Sequence, residues 1–329
     1  MTSAQRLCLI SSVGGSYTAS TDCLATEIVH TRSHTRRALA VALGIAFASA
    51  TAPLLVSAQG PRERTMFVSA VDQKGEPVEG LGPNDFVIRE DGAAREVLRV
   101  SRANEPIDIA ILVDDSAASD ALIPRVREGL RAFIAKMSQG NQISIVGLAD
   151  RPTILANYTA NTKLLQDAIG LLWPRTRAGS TFMDALYEVS LGLEKRETPR
   201  AVIIPVITDG GDFAYRQYEQ VMPEVRKAGA AIHAVTVGDF NSIDHEELRN
   251  RARVLAQGTK DTGGQRVNLL TPMAVQPSLE RLARELSSQY KVVYGRPDSL
   301  IPPEKIEVSA RRPELTMRGT LERGTGTTK

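Results

Sequence analysis

Residues 107–118 read Ile107-Asp108-Ile109-Ala110-Ile111-Leu112-Val113-Asp114-Asp115-Ser116-Ala117-Ala118. The first seven form a nearly continuous apolar run, the signature of a strand buried on both faces of a parallel sheet. The run ends abruptly on two carboxylates and a hydroxyl. Three further runs share its character: Gln142 to Leu148 (QISIVGL), Ala201 to Ile207 (AVIIPVI) and Ala231 to Val237 (AIHAVTV). Helical periodicity lies between them. Ala121 to Met137 places Ile123, Val126, Leu130, Phe133 and Ile134 on one face, and Lys163 to Leu172, Phe182 to Lys195 and Tyr215 to Ala228 also read as helices. Strands alternating with helices predict an α/β fold, a doubly wound, mostly parallel sheet of Rossmann-like layout with helices on both faces.

Outward from this core the pattern changes. Thr65 to Val71, Asp85 to Arg89 and Glu96 to Val100 read as strands, joined by the turn Asp72-Gln73-Lys74-Gly75 and the hairpin signal Glu90-Asp91-Gly92. A unit this small buries too little to stand alone, so it is expected to pack on the later part of the chain. Beyond the α/β core, Asp244 to Ala256 and Pro277 to Ser287 read as helices. Val267 to Leu270, Tyr290 to Tyr294, Ile306 to Ala310 and Leu315 to Gly319 read as strands. The expected organisation is a presequence (1–58), a small β-sandwich-like unit (59–104), the α/β domain (105–275), a C-terminal helix with strands that pack on the β unit (276–323), and a disordered tail (324–329).

The amino terminus reads as an export signal. Arg36 and Arg37 precede an apolar stretch, Ala38 to Ala50, of signal-peptide length, and Val56-Ser57-Ala58 offers small residues for cleavage before Gln59. The polar stretch before Arg36 is unlike such a signal, and one reading starts translation at Val29. Cleavage removes Arg6, Arg32, Arg36 and Arg37 of the 40 basic residues and Asp22 and Glu27 of the 38 acidic ones, leaving 36 of each. It also removes both cysteines, Cys8 and Cys23, which suits an oxidising compartment. The expected location is periplasmic or secreted, with no later segment long enough to span a membrane. Charge balance and an aromatic content of only 5% argue against a nucleic-acid partner. Two cysteines and four histidines leave little for zinc or disulfide frameworks.

In open α/β sheets ligands bind beyond the carboxyl ends of the strands. There the sequence offers Asp114 and Ser116 after the first strand, Thr181 within Gly179-Ser180-Thr181 at a helix start, and Asp209 within Thr208-Asp209-Gly210-Gly211-Asp212. Carboxylates and hydroxyls are hard oxygen ligands, suited to Mg²⁺, Mn²⁺ or Ca²⁺. The arrangement resembles a von Willebrand factor type A domain over about Pro106 to Phe240. That family holds a divalent cation in a metal ion-dependent adhesion site built on Asp-x-Ser-x-Ser, a distant Thr and a distant Asp. The resemblance implies metal ligation by Asp114, Ser116, Thr181 and Asp209. The second Ser of the pattern falls on Ala118, whose methyl cannot coordinate, so the implied site is degenerate. Ser119 is displaced by ~100° around a helical turn. Asp115, Asp120 and Asp212 are candidates for contact through water.

The wider layout resembles exported bacterial proteins of the same kind. It shares Val71-Asp72 through Gly75, Pro77-Val78 and Gly80-Leu81, then Asp85-Phe86 and Glu90-Asp91-Gly92, and near the end Gln289-Tyr290 with Tyr294. The resemblance implies a non-enzymatic binding module for adhesion or assembly, in which a carboxylate of an unidentified protein partner completes the cation's shell. Two other readings stand beside it. One is a metal-free structural or assembly module with a decayed site. The other is a Mg²⁺-dependent phosphoryl-transfer enzyme, which the adjacent rather than alternating Asp114-Asp115 disfavours. A serine hydrolase is disfavoured by the lack of Gly-x-Ser-x-Gly. Several residues have plainer readings: Asp114 and Thr181 as helix caps, Asp212 as a turn residue, His233 and Trp173 as packing, His245 as surface, and Gly263-Gly264 as a flexible loop.

Overall fold

The computed structural model describes residues 62–240, 246–297, 301, 303 and 305–322. The export-signal reading of residues 36–58, the surface reading of His245 and the disordered-tail reading of 324–329 fall outside the described residues. The chain opens with β1 (Arg62–Val71), β2 (Phe86–Glu90), β3 (Ala93–Arg95) and β4 (Val97–Arg102). The α/β layer comes next as β5 (Ile107–Val113), α1 (Ile123–Met137), β6 (Gln142–Gly147), β7 (Thr153–Thr159), α2 (Thr162–Gly170), α3 (Phe182–Arg196), β8 (Arg200–Thr208), α4 (Tyr218–Lys227), β9 (Ala230–Val237), α5 (Glu246–Arg253), β10 (Gln265–Leu269) and α6 (Val275–Ser287). β11 (Tyr290–Arg296), β12 (Ile306–Ala310) and β13 (Thr316–Leu321) complete the fold.

Six strands form the central sheet in the order β10-β9-β8-β5-β6-β7. All neighbours are parallel except β7, which pairs antiparallel with β6 at the edge. This doubly wound α/β layer is the fold class read from the apolar runs. β7 is an addition: its residues are half-buried or exposed, so its sequence carries no continuous apolar run. Side chains alternate across β5. Ile107, Ile109, Ile111 and Val113 pack with Val126, Leu130 and Phe133 of α1 and Leu279 of α6. Ala110 and Leu112 pack on the other face with Phe182 and Leu186 of α3 and Val221 of α4. Both faces are therefore dry, which explains why every β5 residue is buried.

Strand order reverses at β5. The chain passes to β6 on one side and reaches β8 on the other, and the helices after β5 and β8 lie on opposite faces. The loops leaving these two neighbouring strands diverge, which opens a crevice at their carboxyl ends.

A second core lies between two antiparallel sheets, β13-β1-β11-β4 and β12-β2-β3. It contains Met66, Val68, Phe86, Ile88, Val292 and Tyr294. The strand expected over Glu96 to Val100 belongs to a stretch that serves both sheets: Ala93–Arg95 pairs with β2, and Val97–Arg102 pairs with β11. Buried Glu90 ties the sheets together, with Arg95 Nε at 2.9 Å, Arg296 Nε at 3.0 Å and the Tyr294 hydroxyl donating at 2.9 Å. Tyr290 donates its hydroxyl hydrogen to the Val78 carbonyl at 2.9 Å and accepts from Leu81 N. Gln289 joins the two cores: its Oε1 accepts from Arg200 Nη2 at 2.7 Å and its Nε2 donates to Ser69 Oγ at 3.0 Å.

Gly263-Gly264 is not a free loop. Both amides donate into the preceding helical turn, and Gly264 lies so close to the Ile232 carbonyl that a Cβ would sit 1.9 Å from its oxygen.

His233 is fully buried on the α6 side of β9, with neither ring nitrogen hydrogen-bonded. Burial pushes it down to about 4; Glu285 of α6 opposes that shift, and Arg318 of β13 reinforces it. The folded state therefore binds fewer protons than the unfolded state between about pH 4 and the unfolded value of 6.5. Stability supplied by the neutral ring is complete above that window and is lost as pH falls through it, at up to roughly 1.4 kcal/mol per pH unit. The expected result is that the stability difference between wild type and His233→Leu shifts towards the variant as pH falls from 6.5 to 4. Denaturant unfolding across that range measures it, and a difference independent of pH would refute it.

Candidate functional site

The crevice is floored by two buried carboxylates. Asp114, at the end of β5, accepts from Ser116 N at Oδ1 (3.0 Å) and from both Thr208 N (3.1 Å) and Thr208 Oγ1 (2.5 Å) at Oδ2. It does not cap a helix; it fastens the β5 end to the β8 end. Asp115 turns the other way, towards β6. Its Oδ1 accepts from Leu148 N and Ala149 N, both at 2.8 Å, and Arg175 Nε stands 3.4 Å from its Oδ2. Burial raises its pKa, against the pull of those amides and of Arg175. Asp115 thus holds the β6 turn, a structural task in place of contact with a cation through water.

Ser116 is buried ahead of a short 3₁₀ turn, Ala117–Ser119. Ser119 is fully buried and donates its hydroxyl hydrogen to the Ser116 carbonyl at 2.7 Å, so it does not replace the missing serine. Ala118 is exposed, and its methyl approaches Gly210 so closely that a Cβ there would lie 2.5 Å away. Thr181 stands at the N-cap position of α3 but makes no side-chain cap bond; its Oγ1 donates to the Leu148 carbonyl at 2.8 Å. The cap comes from Asp212, whose Oδ1 accepts from Phe182 N (3.1 Å) and Ala214 N (3.2 Å). Burial pushes Asp212 up to about 7, opposed by Arg251 and the two amides and reinforced by Asp184.

Asp209 is exposed after β8, and its Oδ2 accepts from Asp239 N at 2.8 Å. Its carboxyl carbon would lie 2.4 Å from a Cβ on Gly238. The carboxylate is thus turned towards the loop after β9. Arg251, on α5, reaches beneath this loop. It is 2% exposed, and its Nη1 donates to the Gly210 carbonyl at 2.5 Å and its Nη2 to the Asp209 carbonyl at 3.5 Å. Its guanidinium lies 5.2 Å from the centre of the Phe240 ring. Burial lowers its pKa, and the attraction of Asp212, Asp114 and Asp209 opposes that. No motif marks Arg251, because an arginine on a polar helix looks like a solvated charge until the loop beneath it is placed.

The four predicted residues share the carboxyl end of the sheet, on the loops after β5 and β8 and at the start of α3, where Thr181 meets the end of β6 at Leu148. Their fit to a divalent cation is poor. The second hydroxyl is a methyl, Asp209 Oδ2 is engaged by the Asp239 amide, and the buried guanidinium of Arg251 already holds the main-chain carbonyls of Asp209 and Gly210. Among the described residues no group of three or more His, Cys, Asp or Glu side chains gathers to hold a metal.

Residues 109–211 match the family model of the von Willebrand factor type A domain, from β5 through the loop after β8. Those residues are the von Willebrand factor type A domain of the chain. Among solved structures it is similar to a von Willebrand factor type A protein from Catenulispora acidiphila, at 11% identity and a TM-score of 0.44, over 80% of this chain and 74% of that one. It is also similar to the vWF domain of the type V pili tip protein Mfa5 from Porphyromonas gingivalis, at 11% identity and a TM-score of 0.43, over 56% of this chain and 96% of that one. A third is proximal thread matrix protein 1 from the mussel byssus with a zinc-occupied MIDAS motif, at 15% identity and a TM-score of 0.45, over 63% and 50%. No curated protein matches the chain.

Exposed aromatics stand on two loops that reach the crevice, one through Arg175 N to the Asp115 carbonyl and the other through Phe213 N to the Ser180 carbonyl. Trp173 is 64% exposed, Phe213 67% and Tyr215 95%. Trp173 is therefore not a packing residue; Arg127 lies over its ring at 4.3 Å. Phe213 covers Gly179, where a Cβ would lie 2.0 Å from the ring.

Asp115→Ala leaves the Ala149 amide without its carboxylate acceptor and takes from the Leu148 amide its charged partner. A loss of about 3 kcal/mol is expected. Asp115→Asn keeps the acceptor oxygen and should lose less than half of that. Urea unfolding of the three proteins makes the comparison; equal losses would contradict the assignment.

Proposed function

We propose that this protein is an exported, non-enzymatic binding module of the adhesion or assembly kind. It meets a protein partner through the loop face at the carboxyl ends of the central sheet, and it does so without a divalent cation. The observation that carries this reading is the set of exposed aromatic residues, Trp173, Phe213 and Tyr215, standing on loops tied by main-chain hydrogen bonds, the first through Arg175 N to the Asp115 carbonyl at 2.9 Å. Large aromatics on a rigid rim are the side chains that dominate protein interfaces, since they bury much area at small entropic cost. The rigidity comes from the groups below. Phe213 N donates to the Ser180 carbonyl at 2.7 Å, and Tyr215 N and Arg216 N donate to Asp184.

A catalytic role finds less support. The crevice carboxylates Asp114 and Asp115 are buried and hydrogen-bonded to main-chain amides and one hydroxyl, so neither is placed as a base or nucleophile towards solvent. Export is supported by the pattern of residues 36–58, and no helix among the described residues is long and apolar enough to cross a membrane. The cation-completed reading keeps one argument in its favour, the order of Asp114, Ser116, Thr181 and Asp209.

Photo-crosslinking side chains at positions 173 and 215 of the full chain, produced in its own cells, test the proposal. Position 136 serves as control, because it is exposed in the last turn of α1 at the opposite end of the sheet. One protein should crosslink from both loops and not from 136, and chelator should leave the yield unchanged. No adduct, or equal adducts from all three positions, would overturn the contact face. Loss of the adduct in chelator would overturn its independence of cations.

A further inference from the structure

The poor fit of the crevice to a divalent ion has a positive counterpart. We infer that Arg251 is the resident cation of this site: its guanidinium supplies, from within the chain, the positive charge that the strand-end acids require, and it excludes a metal ion. The inference rests on the cation-free reading of the same face and gives the reason for it.

Three observations lead there. Arg251 is as buried as a core residue, and a guanidinium buried without compensation is costly. Its partners are specific to this loop: the carbonyls of Asp209 and Gly210, the two residues that lead from β8 into the crevice. Those carbonyls place the guanidinium directly on the backbone of Asp209, which the family resemblance names as a metal ligand, with no direct ion pair to a carboxylate among the described residues. The guanidinium centres of Arg251 and Arg266 lie 5.2 and 4.8 Å from the centre of the Phe240 ring, so more than one positive charge borders the loop after β9.

The physical consequence comes from charge. Acids gathered at the strand ends repel one another, and a divalent ion or a nearby guanidinium relieves that repulsion. A guanidinium cannot be deprotonated in the working pH range and does not dissociate. Once it is built in, a divalent ion entering the crevice meets repulsion from a charge that cannot leave, in a poorly screened environment. Ala118 is then the expected partner of Arg251: with the charge already supplied, the position needs no ligating hydroxyl, and the methyl seals against Gly210.

Charge and ligand count are separable, and a titration with Mn²⁺ alone reads both. The full chain and Ala118→Ser are each expected to bind Mn²⁺ no better than at millimolar concentration. Ala118→Ser combined with Arg251→Gln should bind about tenfold or more tightly than Ala118→Ser alone. Ala118→Ser combined with Arg251→Lys, which keeps the charge and loses the planar fork, should stay weak. Saturable binding well below millimolar by wild type or Ala118→Ser would overturn the inference, as would equal binding by the Gln and Lys variants. Ala118→Ser leaves Arg251 in place, so tight Mn²⁺ binding by that variant overturns the inference even where the Arg251 variants fail to fold. Crosslinking that persists in chelator while this titration fails would leave the contact face standing and remove only the role of Arg251.

Discussion

A carboxylate taken out of water has to be met by hydrogen-bond donors, and this constraint organises the whole crevice. β5 is sealed by helices on both faces, so its chain can leave only at its end. There it delivers Asp114 and Asp115 into a buried position. Asp114 finds its donors at the end of β8, and Asp115 finds them at the end of β6. The two carboxylates therefore hold the three central strand ends in register with one another. The loops that carry Ser116, Thr181 and Asp209 inherit their positions from this arrangement.

The same demand for compensation separates this site from a metal centre. In a cation site the acids converge on an ion. Here each acid accepts from a main-chain amide, and Arg251 of α5 donates to the main-chain carbonyl of Gly210. The groups left free at the rim are aromatic. Trp173, Phe213 and Tyr215 project from loops that the buried network has already ordered, so a partner would pay little of the loop-ordering cost of association. A rigid acid-and-amide floor under an exposed aromatic rim is the physical description of the proposed contact face.

Much of the fold was legible in the sequence. Strands β5, β8 and β9 are buried on both faces, so their apolar runs have little polar interruption, with His233 the bulkiest exception. The edge strand β7 has one wet face and an antiparallel partner, and its sequence, with Asn157 and Thr159, carries no such signal. The split of residues 93–102 between two sheets depends on which neighbour each half meets, and local periodicity cannot report that. Gly263-Gly264 looks like a flexible loop by composition, yet its glycines are required by backbone packed against Ile232 and Gly319. Trp173 reads as a core residue because large aromatics usually are, and only the position of its loop leaves it exposed. For the site, residue order places Asp114, Ser116, Thr181 and Asp209 at strand ends. Which atoms their oxygens bond is a property of the folded loops, and Arg251 lies 42 residues beyond Asp209, with no spacing rule to connect the pair.

Ligands that bind only the folded state raise its stability by mass action. Thermal unfolding of the wild-type chain in chelator and in millimolar Mg²⁺ or Mn²⁺ therefore tests the central claim most directly. A cation-free site predicts one melting temperature in all three conditions. A rise of several degrees with either ion, abolished by Asp209→Ala, would contradict it.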